Sequence, residues 1–216
     1  MTRLTDTIKQ YLTPHIVLSA SKHLNESENG VSKALGSMTA ALFAGIIIKS
    51  EQKSLMEQVF QQAIGFDGTV LDRLGVLVNS DNLTQHTPLE VSENLVTLVF
   101  GGKSPAVVNA VASFSGIKHS SASILSAALA GPLTLGILNK LIKQEPLTPA
   151  GMVLWIESQK GEILSKLPGS VAALIGLTTP PKHQNVAASV NLRNWFLSML
   201  VLLALGLVMV WYMRGG

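Results

Sequence analysis

The chain has 216 residues, no cysteine and a formal net charge of +3. The absence of cysteine excludes disulfide, thiolate and Cys-zinc chemistry, and it fits a reducing compartment. Residues 1–177 hold 13 basic and 13 acidic residues, so the positive surplus lies wholly in Lys182, Arg193 and Arg214. Because the basic residues of this neutral body are scattered among acids, no nucleic-acid partner is expected.

The first 177 residues are long enough for one domain with its own core. Apolar residues recur at helical spacing, and no window shows the sustained alternation of a strand. Ser or Thr precedes Pro at 13–14, 87–88, 104–105 and 148–149, a pattern typical of helix starts. In "TPLE", Glu90 completes a capping box with Thr87. The pattern therefore predicts an all-α, compact multi-helix domain.

Two of the predicted helices are similar to each other. Residues 31–49 align with residues 122–140 at an offset of 91, with five identities that include Gly45 with Gly136 and Lys49 with Lys140. Internal duplication and chance similarity between two amphipathic helices both explain this match. Many apolar positions in these helices are Ala, Gly or Ser. Small residues let helix backbones approach closely, so we expect little internal volume and no large ligand pocket.

The stretch "GGKS" at 101–104 has the local composition of a phosphate-binding loop. That loop needs a glycine at position 97, where Thr97 stands, and an uninterrupted helix afterwards, where Pro105 follows at once. A plain interhelical turn is the better interpretation.

The five histidines show no metal-binding spacing; they are His15, His23, His86, His119 and His183. His119 lies beside two serines, but no orienting acid is near in sequence and no nucleophile elbow is present. We therefore predict no catalytic residue, no metal and no cofactor.

The sequence from Trp195 to Tyr212 predicts a transmembrane helix. Its eighteen residues carry no charge, and ten of them are Leu, Val or Phe. At about 1.5 Å per residue they span roughly 27 Å, close to the thickness of a bilayer's hydrocarbon core. The aromatic pairs Trp195–Phe196 and Trp211–Tyr212 stand where such rings prefer the lipid headgroups, so they are the predicted membrane anchors. With no ionisable residue, this helix lacks what a proton-conducting stator subunit needs.

The segment 178–194 is predicted to be a linker, because two consecutive prolines stop any helix at its start. Lys182 and Arg193 lie before the span and Arg214 after it. The positive-inside rule therefore places residues 1–194 in the cytoplasm and residues 213–216 on the periplasmic side.

Three stretches resemble the YidB-like family of bacterial domains of unknown function: "LNESENGVSKALGSMTAALFAGI", "SASILSAALAGPLTLGIL" and "LPGSVAALIGL". The resemblance covers about residues 1–177 and includes Pro132 within the second stretch, whereas the first departs from the pattern at Ala41. It implies an all-helical fold, no enzyme activity and no binding residues. In one architecture of this family, the domain precedes one transmembrane helix and a periplasmic OmpA-like domain that grips peptidoglycan. The third part is missing here, and "MRGG" resembles the start of a longer exported region; the alternative is a natural C-terminal tail anchor.

These observations lead to one expected function and two alternatives. The expected protein is a bitopic inner-membrane protein whose cytoplasmic body anchors or scaffolds a partner assembly, with the lipid bilayer, other copies of itself and an unidentified protein as partners. Peptidoglycan is a partner only if a further C-terminal domain exists. The alternatives are an enzyme with a site assembled from scattered polar residues, and a homo-oligomeric membrane assembly. Clustered polar side chains in a cleft would favour the enzyme, and a broad apolar surface would favour the scaffold.

Overall fold

The computed structural model of the chain describes residues 3–75 and 88–177, and these contain helices and no strand. The α-helices in chain order are α1 (Leu4–Tyr11), α2 (Pro14–Leu24), α3 (Glu28–Ile48), α4 (Lys53–Gly65), α5 (Pro88–Phe100), α6 (Ser104–Ser115), α7 (His119–Leu125), α8 (Gly131–Gln144), α9 (Pro149–Ser158), α10 (Lys160–Lys166) and α11 (Gly169–Ile175). Short 3₁₀ segments lie at Gly68–Arg73 and Gly101–Lys103, and a π-helical turn lies at Ser126–Ala130. The described residues 3–75 and 88–177 belong to one compact unit.

The predicted helix starts agree with the structure at two sites and differ at a third. The Thr13 hydroxyl accepts a hydrogen bond from the Ile16 N–H at 3.4 Å, and the Thr148 hydroxyl accepts one from the Gly151 N–H at 3.2 Å. Ser104 is not a cap, because it is itself the first residue of α6 and its hydroxyl donates backwards to the Gly101 carbonyl at 2.7 Å. The capping box at Thr87 lies outside the described residues.

Two helices, α3 and α8, form the centre of the core. Of the 21 residues of α3, 15 are buried, and of the 14 residues of α8, 10 are buried. The sequence pattern predicts one apolar face on each helix, but burial on this scale covers nearly every side. Each helix is therefore an interior element with neighbours all round.

Three helical stretches in the described part of the chain are long and apolar enough to cross a membrane: Glu28–Ile48, Asn94–Ser115 and His119–Gln144. The sequence predicts one such helix, at 195–212, which lies outside the described residues. The three described stretches were not predicted as membrane candidates. In this structure 78%, 44% and 89% of their apolar windows are buried inside the body, so packing against other helices accounts for the apolar composition of the first and third.

Glycines allow the close helix contacts that the small-residue composition predicts. A Cβ placed on Gly136 would lie 2.5–3.0 Å from three side-chain carbons of Leu71, and one on Gly45 would overlap Val99. Both positions need the backbone itself as the contact surface, because any side chain would push the neighbouring element away.

Pro132 explains the π turn that precedes α8. Proline has no N–H to donate to the carbonyl four residues back, and its ring clashes with that carbonyl. The helix widens just before it: the Gly131 N–H donates to the Ser126 carbonyl, five residues earlier. The Thr134 hydroxyl also donates to the Ala130 carbonyl at 2.8 Å. The wider turn lets the helical stretch from His119 to Gln144 continue past a proline without breaking.

The offset of 91 residues extends beyond the two similar helices. Pro14 and Pro105 both stand in the first turn of a helix, and α3 and α7 begin at residues 28 and 119. The helices that precede them both end at a left-handed residue, Asn25 with φ +52° and Gly116 with φ +69°. We therefore describe the body as a first half, α1–α4 with the turn Gly68–Arg73, and a second half, α5–α10.

The two halves exchange their later elements. In the first half, α4 and the turn Gly68–Arg73 pack on α8, the central helix of the second half. In the second half, α9 and α10 pack on α3. Two contacts between the halves show the same reciprocity: Glu26 is bonded to Ser121, and Gly30 is packed against Ile117. The offset of 91 residues relates Glu26 to Ile117 and Gly30 to Ser121, so each contact joins the counterparts of the other. This arrangement is that of an approximate twofold axis within one chain.

Candidate binding groove

A groove of about 350 Å³ opens between α1 and α3. On α1, Leu4, Ile8 and Leu12 repeat every fourth residue and so share one face that lines the groove. Leu4 is buried, whereas Ile8 and Leu12 are half-buried, because α3 does not close over them. At about 1.5 Å per residue this wall is about 12 Å long.

The floor of the groove is the backbone of α3 at Gly36. A Cβ placed on Gly36 would meet no atom within 4 Å, in contrast to the tightly packed Gly45 and Gly136. Ser37 and Ala40 continue the floor along the same helix and are buried. The missing side chain at Gly36 is therefore what gives the groove its depth.

Three lysines line the groove, one from each of three helices: Lys9 on α1, Lys33 on α3 and Lys166 on α10. All three are exposed, and no carboxylate belongs to the lining. In a body with equal numbers of acidic and basic residues, this is a local excess of positive charge. Phe114 from α6 leaves 49% of its surface exposed and adds an aromatic ring to the lining.

Polar contacts hold α1 in place at one end of the groove. The Leu4 N–H donates to the Gln159 side-chain carbonyl at 3.3 Å, and the Thr5 hydroxyl donates to the Glu162 carboxylate. Both partners lie at the start of α10 or just before it. They fix the N-terminal end of α1 against the second half, so the groove wall is held by the fold without closing on α3.

The lining of the groove combines an apolar surface with ammonium groups, and its hydroxyls belong to Thr5, Ser32 and Ser37. Its described lining residues include no histidine and no carboxylate, although the Thr5 hydroxyl is bonded to the Glu162 carboxylate. The arrangement can hold a molecule that has an apolar part and a negative charge.

A match to a family model covers residues 6–141; the family is described as a bacterial protein of unknown function, DUF937. The chain belongs to this family. No curated protein and no solved structure gives a significant match. The matched region contains α3 and all of α1 except Leu4 and Thr5, whereas α10 lies beyond it.

In this DUF937 protein, the lysine of "GGKS" has a structural partner. Gly101–Lys103 forms the interhelical turn that the sequence predicts, with Gly101 at φ +57°. The Lys103 ammonium donates to the Leu174 carbonyl at 3.0 Å, near the C-terminal end of α11, where the helix dipole favours a positive charge. Lys103 therefore holds the last helix onto the α5–α6 turn.

Glu26 likewise serves the fold. Its carboxylate accepts hydrogen bonds from the Lys118 N–H at 2.9 Å and from the Ser121 hydroxyl at 2.7 Å, at the start of α7. These two bonds lower the pKa of Glu26, because both stabilise its charged form. Glu26, in the first half, therefore bonds the start of α7 in the second half.

A second, smaller cleft of about 280 Å³ is the best location for the enzyme alternative. It brings His119, Ser123 and Ser126 together between α5, α6 and the π turn. Ser126 is 2% exposed, and its hydroxyl has no hydrogen-bond partner in the described part of the chain. No carboxylate lines the cleft to orient His119, which is what a catalytic triad requires.

The residues predicted from the sequence to act at the membrane lie outside the described residues. They are the anchors Trp195, Phe196, Trp211 and Tyr212 and the topology residues Lys182, Arg193 and Arg214, with the linker 178–194, the span 195–212 and the end 213–216. Within 3–75 and 88–177, no group of three or more His, Asp or Glu residues is arranged to hold a metal ion.

Sequence reasoning missed the groove, although part of its signal is visible. Leu4, Ile8 and Leu12 already show the spacing of an apolar helix face, and Lys9 lies beside it. What the sequence does not reveal is that Gly36 faces this wall across open space while Gly45, nine residues later, is packed against another helix.

Proposed function

We propose that this DUF937 protein is a non-enzymatic, single-pass protein of the bacterial inner membrane whose helical body faces the cytoplasm and works as a binding module. In this proposal the body organises a partner assembly at the cell envelope. The observation that carries the binding role is the groove, which combines an apolar surface with three lysines. The uncharged segment 195–212 supports the membrane anchor.

The proposal includes the kinship to YidB-like domains and the architecture with a periplasmic OmpA-like domain, for which the resemblance in residues 1–177 is the support. It also includes self-association. A membrane anchor confines the copies and raises their effective concentration, so that weak contacts between bodies are populated. Exposed apolar side chains such as Leu154, with 66% of its surface exposed, offer such contacts.

Topology is tested with protease added to intact spheroplasts that produce the full chain. We expect the protein to fractionate with the inner membrane and its body to be protected until the membrane is permeabilised. Recovery of the full chain in the soluble fraction without detergent would contradict the anchor. Digestion of the body in intact spheroplasts would reverse the orientation while leaving the anchor in place.

Self-association is tested by native mass measurement of the full chain in detergent. We expect multiple copies, and Leu154→Ser tests whether the exposed apolar surface contributes to them. A monomer at every protein concentration would contradict the oligomer.

The enzyme alternative is kept because His119 and Ser126 line one cleft; an activity of the purified chain that is lost in both His119→Ala and Ser126→Ala would favour it.

A further inference from the structure

We propose that the groove between α1 and α3 binds a single-chain amphiphile with an anionic head group, such as a medium-chain fatty acid. This inference rests on the proposed binding role of the groove and names its ligand class. The apolar chain would lie over Gly36 against Leu4, Ile8 and Leu12, and the head group would meet the lysines of the rim.

The size of the groove selects this ligand over larger ones. A volume of about 350 Å³ is at the lower end of small-molecule pockets, which measure about 300–1,000 Å³. The wall of about 12 Å corresponds to about two helical turns. A flat bilayer surface cannot enter a concave groove to reach Ile8 or Gly36.

The charge of the groove selects the head group. Lys9, Lys33 and Lys166 come from three different helices and all line the groove, and its described lining residues include no acid. Glu162 on α10 is bonded to the lining residue Thr5, and the three lysines outnumber this carboxylate. An anionic group is therefore attracted to this rim, and a cationic one is repelled.

The depth of the groove depends on one residue that can be changed without a clash. Because a Cβ at Gly36 meets nothing within 4 Å, Gly36→Leu places a branched side chain in the groove while the helix keeps its backbone. Gly65, at the end of α4, has an equally open Cβ position away from the groove. Gly65→Leu is therefore the matched control, and Gly36→Ala is a smaller change at the same site.

The experiment is photo-crosslinking of the full chain in phosphatidylcholine nanodiscs with a diazirine derivative of dodecanoate. Labelled peptides are mapped by mass spectrometry. We expect label on α1 and on the first half of α3, displaced by unlabelled dodecanoate but not by dodecyltrimethylammonium, which has the same chain and the opposite charge. Gly36→Leu should reduce this label by about tenfold or more, Gly36→Ala by less, and Gly65→Leu should leave it unchanged.

The charge requirement is tested separately by changing the three groove lysines, Lys9, Lys33 and Lys166, together to Gln. The control variant changes three other exposed lysines to Gln: Lys22, Lys53 and Lys160. The groove variant should lose about tenfold in labelling, and high salt should weaken labelling of the unmodified chain, because exposed charges are screened. Equal displacement of the label by dodecanoate and by dodecyltrimethylammonium would overturn the requirement for an anionic head group. Label confined to residues 195–212, or unchanged in Gly36→Leu, would overturn the ligand site while leaving the fractionation and topology tests of the proposed function untouched.

Two further outcomes separate other occupants. The purified chain is also tested for binding to phosphatidylglycerol vesicles. If this binding depends on the three lysines but not on Gly36, the lysines contact a membrane surface, and the groove ligand is overturned. A protein crosslinked in the groove in place of dodecanoate would overturn the ligand class and leave the binding role.

Discussion

The two halves of the body place corresponding helices in the same order but fill the space beside the central helix differently. In the first half, α1 stands off α3, and Ile8 remains half-buried over the groove. In the second half, α5 packs on the π turn and on α8, and Val99, 91 residues after Ile8, is 1% exposed. The floor differs as well, because Gly36 corresponds to the buried Ala127. One helix order therefore gives a groove of about 350 Å³ in one half and a smaller cleft of about 280 Å³, with Ala127 in its lining, in the other.

The central helices differ at one corresponding pair of residues. Ala41 lies within the unbroken α3, and Pro132, 91 residues later, follows the π turn. Ala41, at which the first half departs from the expected family pattern, thus corresponds to Pro132, which follows the widened helical turn of the second half. The unbroken α3 presents Gly36 and Ala40 in one continuous line, which the floor of the groove requires.

Ala41→Pro is expected to have the largest effect, because it places the second half's proline in the first half's helix. Ala41 is 0% exposed, and the substitution removes one helical hydrogen bond and forces the ring against the preceding turn. We expect a loss of about 3 kcal/mol or more in the free energy of unfolding, or failure to fold. Thermal unfolding of the full chain in detergent, followed by circular dichroism, measures it.

Ala41→Gly is the control, since it changes the side chain without removing the N–H. It should cost about 1 kcal/mol from helix propensity, plus the loss of one buried methyl. If Ala41→Pro were as stable as Ala41→Gly, α3 would be able to form a π turn of its own, and the contrast between the halves would not depend on this residue.

Much of the fold follows from local sequence signals, and the groove does not. Apolar spacing and the Thr-Pro starts depend on neighbours along the chain, so α2, α3 and α9 are predictable from sequence. The "GGKS" turn is predictable for the same reason, because its missing glycine and following Pro105 are local features. The extension of the repeat was partly visible, since Pro14 and Pro105 already stand 91 residues apart.

Long-range packing decides the remainder. Whether a helical glycine faces open space or a neighbour depends on residues far away, as Gly36 and Gly136 show. The exchange of α4 and α10 between halves has no local signal, and neither does the bond from Lys103 to Leu174. Apolar composition alone also fails to separate a membrane helix from an interior one, which is why α3 meets the length and hydropathy of a span.

The two glycines provide the next test of the comparison. Gly136→Ala inserts a methyl 2.5–3.0 Å from Leu71, so overpacking of about 1–3 kcal/mol opposes a gain of up to about 1 kcal/mol in helix propensity. We expect a net loss of stability. Gly36→Ala has the propensity gain without the clash and should be neutral or stabilising. Denaturant titration of both variants measures the difference, and equal effects would show that Leu71 gives way freely.

Asn139 and Ile48, which are also 91 residues apart, can be exchanged one at a time. Asn139 is 1% exposed, and its amide donates to the Ala63 and Ile64 carbonyls at 2.8 and 3.2 Å, at the end of α4. Asn139→Ile leaves these carbonyls without that donor and should cost about 1–3 kcal/mol. Ile48 is 38% exposed, so Ile48→Asn should change stability by less than about 0.5 kcal/mol. Comparable losses in the two variants, measured by denaturant titration, would contradict a special role for the amide.

The smallest expected effect concerns the reciprocal contacts across the approximate twofold axis, of which one is charged and one is apolar. Glu26 has a lowered pKa in the folded chain because of its bonds from Lys118 and Ser121, whereas the Ile117–Gly30 contact contains no titrating group. A carboxyl with a lowered folded-state pKa contributes stability that is fully present above its unfolded pKa, about 4.3, and is lost as the pH falls through the folded value. The free energy of unfolding should be measured from neutral to acidic pH. Below about pH 4.3 it should decrease less steeply in Glu26→Gln than in the unmodified chain. The control is Glu157→Gln, at an exposed glutamate on α9, which should follow the unmodified chain. Identical pH profiles for Glu26→Gln and the unmodified chain would mean that the carboxylate adds nothing to the contact beyond what a neutral amide provides.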